Sequence, residues 1–239
     1  MGTIRRITIG PLFVGLIAIL LAANLTAAAR PNVLFLAVDD MKDWVNCLGG
    51  YEGTVHTPNI DRLASRGTLF TNAHCASPKC APSRAAILTG LRPSTTGLYD
   101  NGHWWFPNLP NTTTLPLQFR KHGYSVVGAG KIFHHHMNGA FHDKASFHHF
   151  QPMRPQLYPP KKLNEAPRYG SRNTDWGSWP KRDQDSIDHH TVEYCIKALL
   201  ERKVNLPQFL ACGIFKPHSP FFAPAPHHQK YEKINLPER

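Results

Sequence analysis

The chain has 239 residues, which is enough for one large domain or two small ones, and 41% of them are hydrophobic. This composition is ordinary for a globular protein and excludes a long low-complexity or disordered chain. The formal net charge of +11 favours an anionic partner, although a generally basic surface explains it equally well. No helix-turn-helix, zinc-finger or RNP-like motif in the sequence indicates a nucleic-acid partner.

The N-terminal 29 residues have the pattern of a targeting segment. Arg5 and Arg6 precede an apolar run over residues 7–25, and small residues follow up to Ala29. This order predicts a secretory signal peptide over residues 1–29, cleaved after Ala29. The run is also long enough for an uncleaved membrane anchor, because about 20 apolar residues span a bilayer. In both cases residues 30–239 are exported, and we expect a periplasmic or secreted protein, or a lysosomal one in a eukaryote.

Predicted strands and helices alternate along the chain. From hydrophobic periodicity and flanking Pro and Gly residues, strands are predicted at residues 32–38, 68–73, 124–130 and 207–215, and helices at residues 59–66, from 80 onward, at 115–121 and at 186–203. The unbroken apolar run 32–38 is typical of a strand buried on both faces. We expect an ordered surface excursion at 150–182 and a loop at 216–239. The alternation predicts an α/β fold with a mixed, largely parallel sheet flanked by helices.

Five cysteines are present, and export would permit disulfides between them. If one cysteine is chemically modified, the other four could form two bridges in any of three pairings. Cys212 lies in an apolar run and is expected to be buried. The sequence leaves the pairing open.

Asp39 and Asp40 stand where the first predicted strand ends. Catalytic groups of open α/β sheets collect at the carboxyl ends of strands. Two adjacent carboxylates there could bind a hard divalent cation such as Ca2+. Helix capping is the alternative explanation for this pair.

Cys80 begins the most informative segment of the chain. Residues 80–84 read Cys-Ala-Pro-Ser-Arg, and Leu-Thr-Gly follows at residues 88–90. A helix N-terminus favours negative charge, so a helix that begins at Cys80 could hold an anionic ester. Arg84 lies one turn later on the same face, where it could steady a nucleophile or an anion. The alternatives are a buried cysteine in a Pro-Ser turn and a surface salt bridge for Arg84.

Two histidine-containing segments follow buried strands. Residues 130–134 read Gly-Lys-Ile-Phe-His, with Lys131 and His134 as candidate polar groups, and residues 216–218 read Lys-Pro-His. His135 and His136 follow directly, so a transition-metal cluster is a competing interpretation. His218 could equally be a surface residue of a Pro-flanked loop.

Together these segments resemble the type I sulfatases of the alkaline-phosphatase superfamily. Segments 56–64 and 95–100 and the Lys-Pro-His loop are most similar to the iduronate-2-sulfatases. The resemblance covers residues 30–239 as the N-terminal part of such an enzyme. The family's later Asp-His or Asp-Asn metal element is not found after His218, and the one Asp-His pair, Asp188-His189, lies in a predicted helix. We therefore expect a domain truncated at its C-terminus: a fragment, a mis-called gene or a decayed copy.

The resemblance implies that Cys80 is oxidised to formylglycine by a formylglycine-generating enzyme. Asp39, Asp40 and residue 80 would then bind Ca2+. Arg84 would help to neutralise the transferring sulfuryl group.

The resemblance also implies roles for the two later segments. Lys131 would bind a sulfate oxygen, and His134 would act as the base that releases sulfate. His218 would contact the substrate and protonate the leaving oxygen.

The implied activity is hydrolysis of sulfate esters in a sulfated sugar or polysaccharide by an exported enzyme. A catalytically inactive remnant that binds polyanions is the alternative. A phosphatase or phosphonate hydrolase on the same fold is a third possibility. A membrane partner is expected only if the signal is uncleaved.

Overall fold

The computed structural model describes residues 30–103, 105–134, 143, 145–164, 172–203 and 205–231. The predicted signal peptide, residues 1–29, lies outside this part of the chain. Among the described residues, no helix is both long enough and apolar enough to cross a membrane.

The strands form two sheets. They are β1 (Val33–Val38), β2 (Ser125–Gly130), β3 (His149–Gln151), β4 (Trp176–Ser178), β5 (Gln208–Ile214) and β6 (Phe221–Ala223). The main sheet has the order β1-β5-β2-β3, and its three strand pairs are all parallel. β4 and β6 form a separate two-stranded parallel pair. The predicted α/β fold with a largely parallel sheet is therefore confirmed.

The helices surround the main sheet. They are α1 (Pro58–Ala64), α2 (Cys80–Thr89), α3 (Pro93–Thr96), α4 (Trp105–Asn108), α5 (Leu115–Lys121), α6 (Ile187–Leu200) and α7 (Ala225–His228), with short 3-10 turns at Asn46–Leu48, Asp183–Asp185 and Gln229–Tyr231. α2 ends at Gly90, whose φ of 73° is the left-handed conformation that glycine adopts without strain. α6 packs against β2 and β5.

The core lies on both faces of β2 and β5. Val126 and Phe209 point to one face, where Phe119 stacks on Phe209 with ring centroids 4.5 Å apart. Val127 and Leu210 point to the other face and pack with the α6 residue Cys195. This alternation is the period of two that a strand imposes, and cover on both faces explains the continuous apolar runs.

β1 departs from its prediction because one of its two faces is exposed in the part of the chain that the structure describes. Leu34 and Leu36 are 54% and 53% exposed, so the expectation of burial on both faces is wrong for this strand. β1 has a hydrogen-bonded neighbour, β5, on one side. The described residues cover one of its two faces, where Val33 and Phe35 pack against the core.

Two further predictions are wrong. Residues 68–73 form turns and irregular chain instead of a strand, and their apolar residues Leu69 and Phe70 are exposed. Residues 216–231 are not loop throughout, because they contain β6 and α7. Long-range pairing with β4 creates β6, and such pairing leaves no local period in the sequence.

The cysteines are all free thiols in the structure. Cys212 is buried as expected, and it lies beside Cys195 in the cluster between the sheet and α6. A hydrogen bond joins the two thiols, and together with burial it raises the pKa of Cys195.

Two glycines allow the ends of β2 and β5 to touch. A Cβ atom on Gly130, whose φ is 74°, would lie 2.1 Å from the carbonyl oxygen of Gly213. A Cβ atom on Gly213 would lie 2.2 Å from the carbonyl oxygen of Lys131. The Lys131 N–H donates to the Gly213 carbonyl at 2.9 Å across this contact. Only glycine fits at these two positions. Their close contact fixes the position of the Lys131 backbone.

We expect Gly213→Ala to lower the free energy of unfolding by about 1–3 kcal/mol, because its new methyl group would overlap backbone atoms. Gly67→Ala is the matched control, since its Cβ atom would meet its nearest neighbour at 3.5 Å. Urea unfolding of both variants measures the difference. Equal stability of the two variants would contradict the proposed backbone contact.

Candidate active site

A buried ion cluster lies at the carboxyl end of β1. Asp39 is 5% exposed, and its carboxylate accepts hydrogen bonds from Arg84 at 2.5 Å and from the ammonium group of Lys131. Burial acts to raise the pKa of the Asp39 carboxyl, but the charges and hydrogen bonds of Arg84 and Lys131 outweigh burial and lower it. Asp39 is therefore ionised, and it joins β1, α2 and the segment after β2.

Asp40 follows in a turn that exposes its carboxylate. Its φ of 53° is left-handed, a conformation that aspartate tolerates better than most residues. Just before the turn, the Asp39 N–H donates to the Ile214 carbonyl at 2.9 Å and so continues the β1–β5 ladder. The two neighbouring carboxylates thus have different surroundings, one buried and one open to solvent.

Cys80 is the first residue of α2, as predicted, and its Sγ lies 3.7 Å from Lys131 Nζ. Burial raises the pKa of the thiol, and the charges of Asp39 and Asp40 add to this effect. Lys131 and Arg84 act in the opposite direction without reversing it. The thiol therefore stays protonated near neutral pH and is a weak nucleophile as a cysteine.

Arg84 is buried, so the surface salt bridge considered as its alternative is wrong. Its Nη1 donates to the carbonyl oxygens of Lys131 and Ile132 while Nη2 bonds Asp39. Arg84 thus links α2 to the turn after β2, and its Nε–H group makes no hydrogen bond to the described residues.

Lys131 is 2% exposed and presents its ammonium group between Asp39 and Cys80. The ammonium group also lies 4.9 Å from the ring centroid of Phe215, a cation–π contact. His134 follows three residues later and is half-buried. The role of His134 as a base stays a prediction.

His218 faces the exposed carboxylate. Its Nδ1 lies 2.7 Å from the Ser219 carbonyl, and since a carbonyl only accepts, Nδ1 carries a hydrogen. Its Nε2 lies 3.7 Å from an oxygen of Asp40. A second proton, at Nε2, would therefore lie between the imidazole and the carboxylate.

Asp188 and Lys216 hold the His218 loop, and sequence analysis missed both roles. Asp188 lies in the first turn of α6, where its two oxygens accept the N–H groups of Phe215 at 2.7 Å and Lys216 at 2.9 Å. The ammonium group of Lys216 donates to the carbonyl oxygens of His218 and Pro220. In the sequence, Asp188 was considered only as the first residue of the Asp188-His189 pair. A carboxylate at a helix start is a capping signal, but its partner cannot be read from sequence.

Four residues bring ligand-type atoms together. Atoms of Asp39, Asp40, Cys80 and His218 all lie within 4.8 Å of one another. The first three are the predicted metal ligands, and His218 joins them from the loop after β5. His134 is not in this group within the described part of the chain. The four residues therefore form the most direct candidate for a metal and reaction centre.

A cavity of about 470 Å³ opens onto this centre. Its polar lining includes Asp39, Asp40, Lys79, Cys80 and Arg84, and apolar residues of β1 and α2 line the rest. A pocket of this size holds a sugar-sized ligand.

The sequence profile of the sulfatase family matches residues 31–238. The chain therefore belongs to the sulfatase family. It is 37% identical over 227 residues to a sulfatase of Formosa agariphila, covering 87% of this chain and 43% of that protein. It is 34% identical over 229 residues to iduronate 2-sulfatase of Homo sapiens, covering 90% and 40%. The chain thus spans less than half the length of these relatives.

Solved structures show the same fold. A protein in complex with its substrate D-glucosamine-2-N,6-O-disulfate matches with a TM-score of 0.64 and 22% identity, over 88% of this chain and 39% of that chain. The phosphonate monoester hydrolase of Agrobacterium radiobacter matches with a TM-score of 0.62 and 22% identity, over 87% and 45%. The predicted sulfatase-like fold is confirmed.

We expect Asp188→Asn to loosen the His218 loop, because the amide group can accept only one of the two N–H bonds. Amide hydrogen exchange at Phe215 and Lys216 should accelerate by about 10-fold or more, the value of one bond to a charged acceptor. Asp183→Asn, an exposed carboxylate change just before α6, is the control. Unchanged exchange at both amides would contradict the role given to Asp188.

Lys216 gives a pH-dependent prediction. Burial lowers the pKa of its ammonium group from 10.5 to about 8, although Asp188 acts to raise it. Between these two values the unfolded chain binds more protons than the folded protein, so the wild type gains stability as pH rises. Lys216→Met removes this gain. In urea unfolding, its free energy of unfolding should therefore fall further below that of the wild type as pH rises from 8 to 10.5. A deficit that is constant with pH, like that of the exposed variant Lys181→Met, would contradict the buried-lysine assignment.

Proposed function

We propose that this chain forms the nucleophile side of a sulfatase active site. The reaction is hydrolysis of sulfate esters of a sulfated sugar, with formylglycine made from Cys80 and a Ca2+ ion. One observation carries the proposal: Cys80 Sγ lies 3.7 Å from Lys131 Nζ, in a group with Asp39, Asp40 and His218. The centre thus combines a nucleophile position, a cation, two carboxylates and a proton donor.

Conversion of Cys80 resolves a chemical difficulty of the site. The protonated thiol is a weak nucleophile beside two carboxylates. In this structure, Cys80 Sγ occupies the position that the oxygens of hydrated formylglycine would take in the converted protein. The modified residue supplies a hydroxyl nucleophile, and bound Ca2+ supplies positive charge for the sulfate group.

The residues of the site fit Ca2+ once Cys80 is converted. Ca2+ takes six to eight oxygen ligands, and Asp39 and Asp40 provide carboxylate oxygens. A thiol and an imidazole suit zinc better, so replacing sulfur by oxygen at position 80 shifts the preference toward Ca2+. The charges of the two aspartates balance those of Arg84 and Lys131. A dication would therefore leave the centre net positive and suited to an anionic ester.

The chain's own side chains have separate tasks around the sulfate group. Lys131 lies next to the nucleophile position and can bind a sulfate oxygen, and Arg84 lines the adjacent cavity with a positive charge. Such fixed donors stabilise charge that develops in the transition state. A protonated His218 can give its Nε2 proton to the leaving sugar oxygen. His134 is proposed as the base that completes sulfate release.

Export and the sugar class belong to the same proposal. The basic, apolar and small-residue order of residues 1–29 supports a secretory signal. Relatives that act on sulfated sugars include the human iduronate 2-sulfatase and the protein solved with a disulfated glucosamine. We propose a periplasmic or secreted protein that meets sulfated polysaccharide outside the cytoplasm.

The test is expression of the full chain with a formylglycine-generating enzyme. We expect mass spectrometry to find the aldehyde at position 80, and Ca2+-dependent hydrolysis of an aryl sulfate. Cys80→Ala should reduce turnover by on the order of 10^3-fold or more, since the nucleophile is lost. Cys47→Ala, a half-buried cysteine outside the site, is the control.

The outcomes separate the alternatives. Faster hydrolysis of an aryl phosphate than of the sulfate would indicate a phosphatase on the same fold. An aldehyde at position 80 without any hydrolysis would indicate an inactive remnant. Equal turnover in Cys80→Ala and wild type would refute the proposed nucleophile.

A further inference from the structure

A second and larger cavity, of about 720 Å³, lies at the opposite ends of the strands. Ser125 and Gln208, the first residues of β2 and β5, line it, whereas Asp39 and Lys131 follow the last residues of β1 and β2. β2 has six residues, so at a rise of ~3.3 Å per residue the two cavities lie about 20 Å apart. The second cavity is therefore separate from the candidate active site.

The second cavity is strongly basic. We call it the basic groove and define it by four cationic lining residues, Arg120, Lys197, Arg202 and Lys203, together with His148 and His149. Among the described lining residues, Glu201 is the one carboxylate, and its contact with Lys197 at 3.9 Å joins two exposed side chains. The active-site cavity, in contrast, balances two aspartates against Lys79 and Arg84. The lining of the groove thus has an excess of positive charge, and the lining of the active-site cavity has none.

Two members of the groove are fixed by the backbone. The guanidinium group of Arg120 donates to the Ala145 carbonyl at 2.7 Å and to the Phe147 carbonyl at 3.2 Å. His148 accepts the Val126 N–H at its Nδ1, 3.0 Å away, so its other nitrogen bears the hydrogen. These two side chains of the groove are therefore held in place by hydrogen bonds. Lys197, Arg202 and Lys203 are exposed along its rim, where their charges can reach a bound anion.

We propose that the basic groove binds sulfate groups of a sulfated polysaccharide, at a distance from the bond that is cleaved. The proposal rests on the proposed function for its ligand class, because a sulfatase of polysaccharides meets chains that carry many sulfate groups. Arginine and lysine side chains bind such oxygens through charge-assisted hydrogen bonds. Retaining the polymer at a second site raises the local concentration of sulfate esters near Cys80.

The test measures binding of a heparin octasaccharide by the full chain that carries Cys80→Ala, so that no hydrolysis interferes. The groove variant combines Lys197→Gln, Arg202→Gln and Lys203→Gln, and we expect its affinity to fall by about 10-fold or more. Its salt dependence should also become shallower, since fewer counterions are displaced. The matched control removes three exposed cations elsewhere: Arg62→Gln, Arg66→Gln and Lys181→Gln. It should retain affinity within about 2-fold, because distant exposed charges are screened.

Equal losses of heparin affinity in the two triple variants would overturn the proposal. They would indicate that a generally basic surface binds the polymer. Equal affinity for a de-sulfated octasaccharide would overturn the sulfate assignment, and tighter binding of single-stranded DNA of matched charge would point to a nucleic-acid site. Aryl sulfate hydrolysis by the groove variant with Cys80 intact is measured separately. We expect it to equal the wild-type rate, so failure of the catalytic proposal and failure of the groove can be told apart.

Discussion

The candidate site depends on one buried carboxylate held between two buried cations. Asp39, Arg84 and Lys131 come from β1, α2 and the turn after β2, and each is less than one-tenth exposed. Removing one partner of such a buried pair typically costs about 3–5 kcal/mol, because the remaining charge is left uncompensated. The cluster therefore links three elements of the fold, and it also places buried charges next to Cys80.

The rest of the centre is positioned by backbone contacts. Gly130 and Gly213 let β2 and β5 approach closely enough to carry Lys131 toward Asp39. Asp188 binds the two N–H groups that begin the His218 loop, and Lys216 binds carbonyls within that loop. Parallel strands bring their carboxyl ends to one edge, so residues far apart in sequence converge there.

Charge is divided between the two ends of the sheet. At the carboxyl ends, acids and bases balance, which leaves room for a dication and an anionic ester to complete the centre. At the amino ends, the basic groove carries a surplus of lysine and arginine. This division of charge is the basis for proposing separate sites for a polyanion and for a single ester group.

The sequence by itself determined the class of fold and predicted most of the residues that meet at the candidate site. Asp39, Cys80 and Lys131 were predicted because each follows a readable local signal: a strand that ends in acids, a Cys-x-Pro-Ser-Arg helix start, and a Gly-Lys turn. The alternation of strands and helices along the chain likewise predicted the largely parallel sheet.

The tertiary structure decided what depends on distant partners. The position of β1 at one edge of the sheet follows from strand order, which no local period records, and residues 68–73 form turns although their local pattern predicted a strand. The loop contacts of Asp188 join residues 27 and 28 positions apart. The basic groove likewise gathers charges from α5, from the chain around β3 and from the end of α6. Periodicity reports which side of an element is apolar, whereas packing between elements selects which polar groups meet.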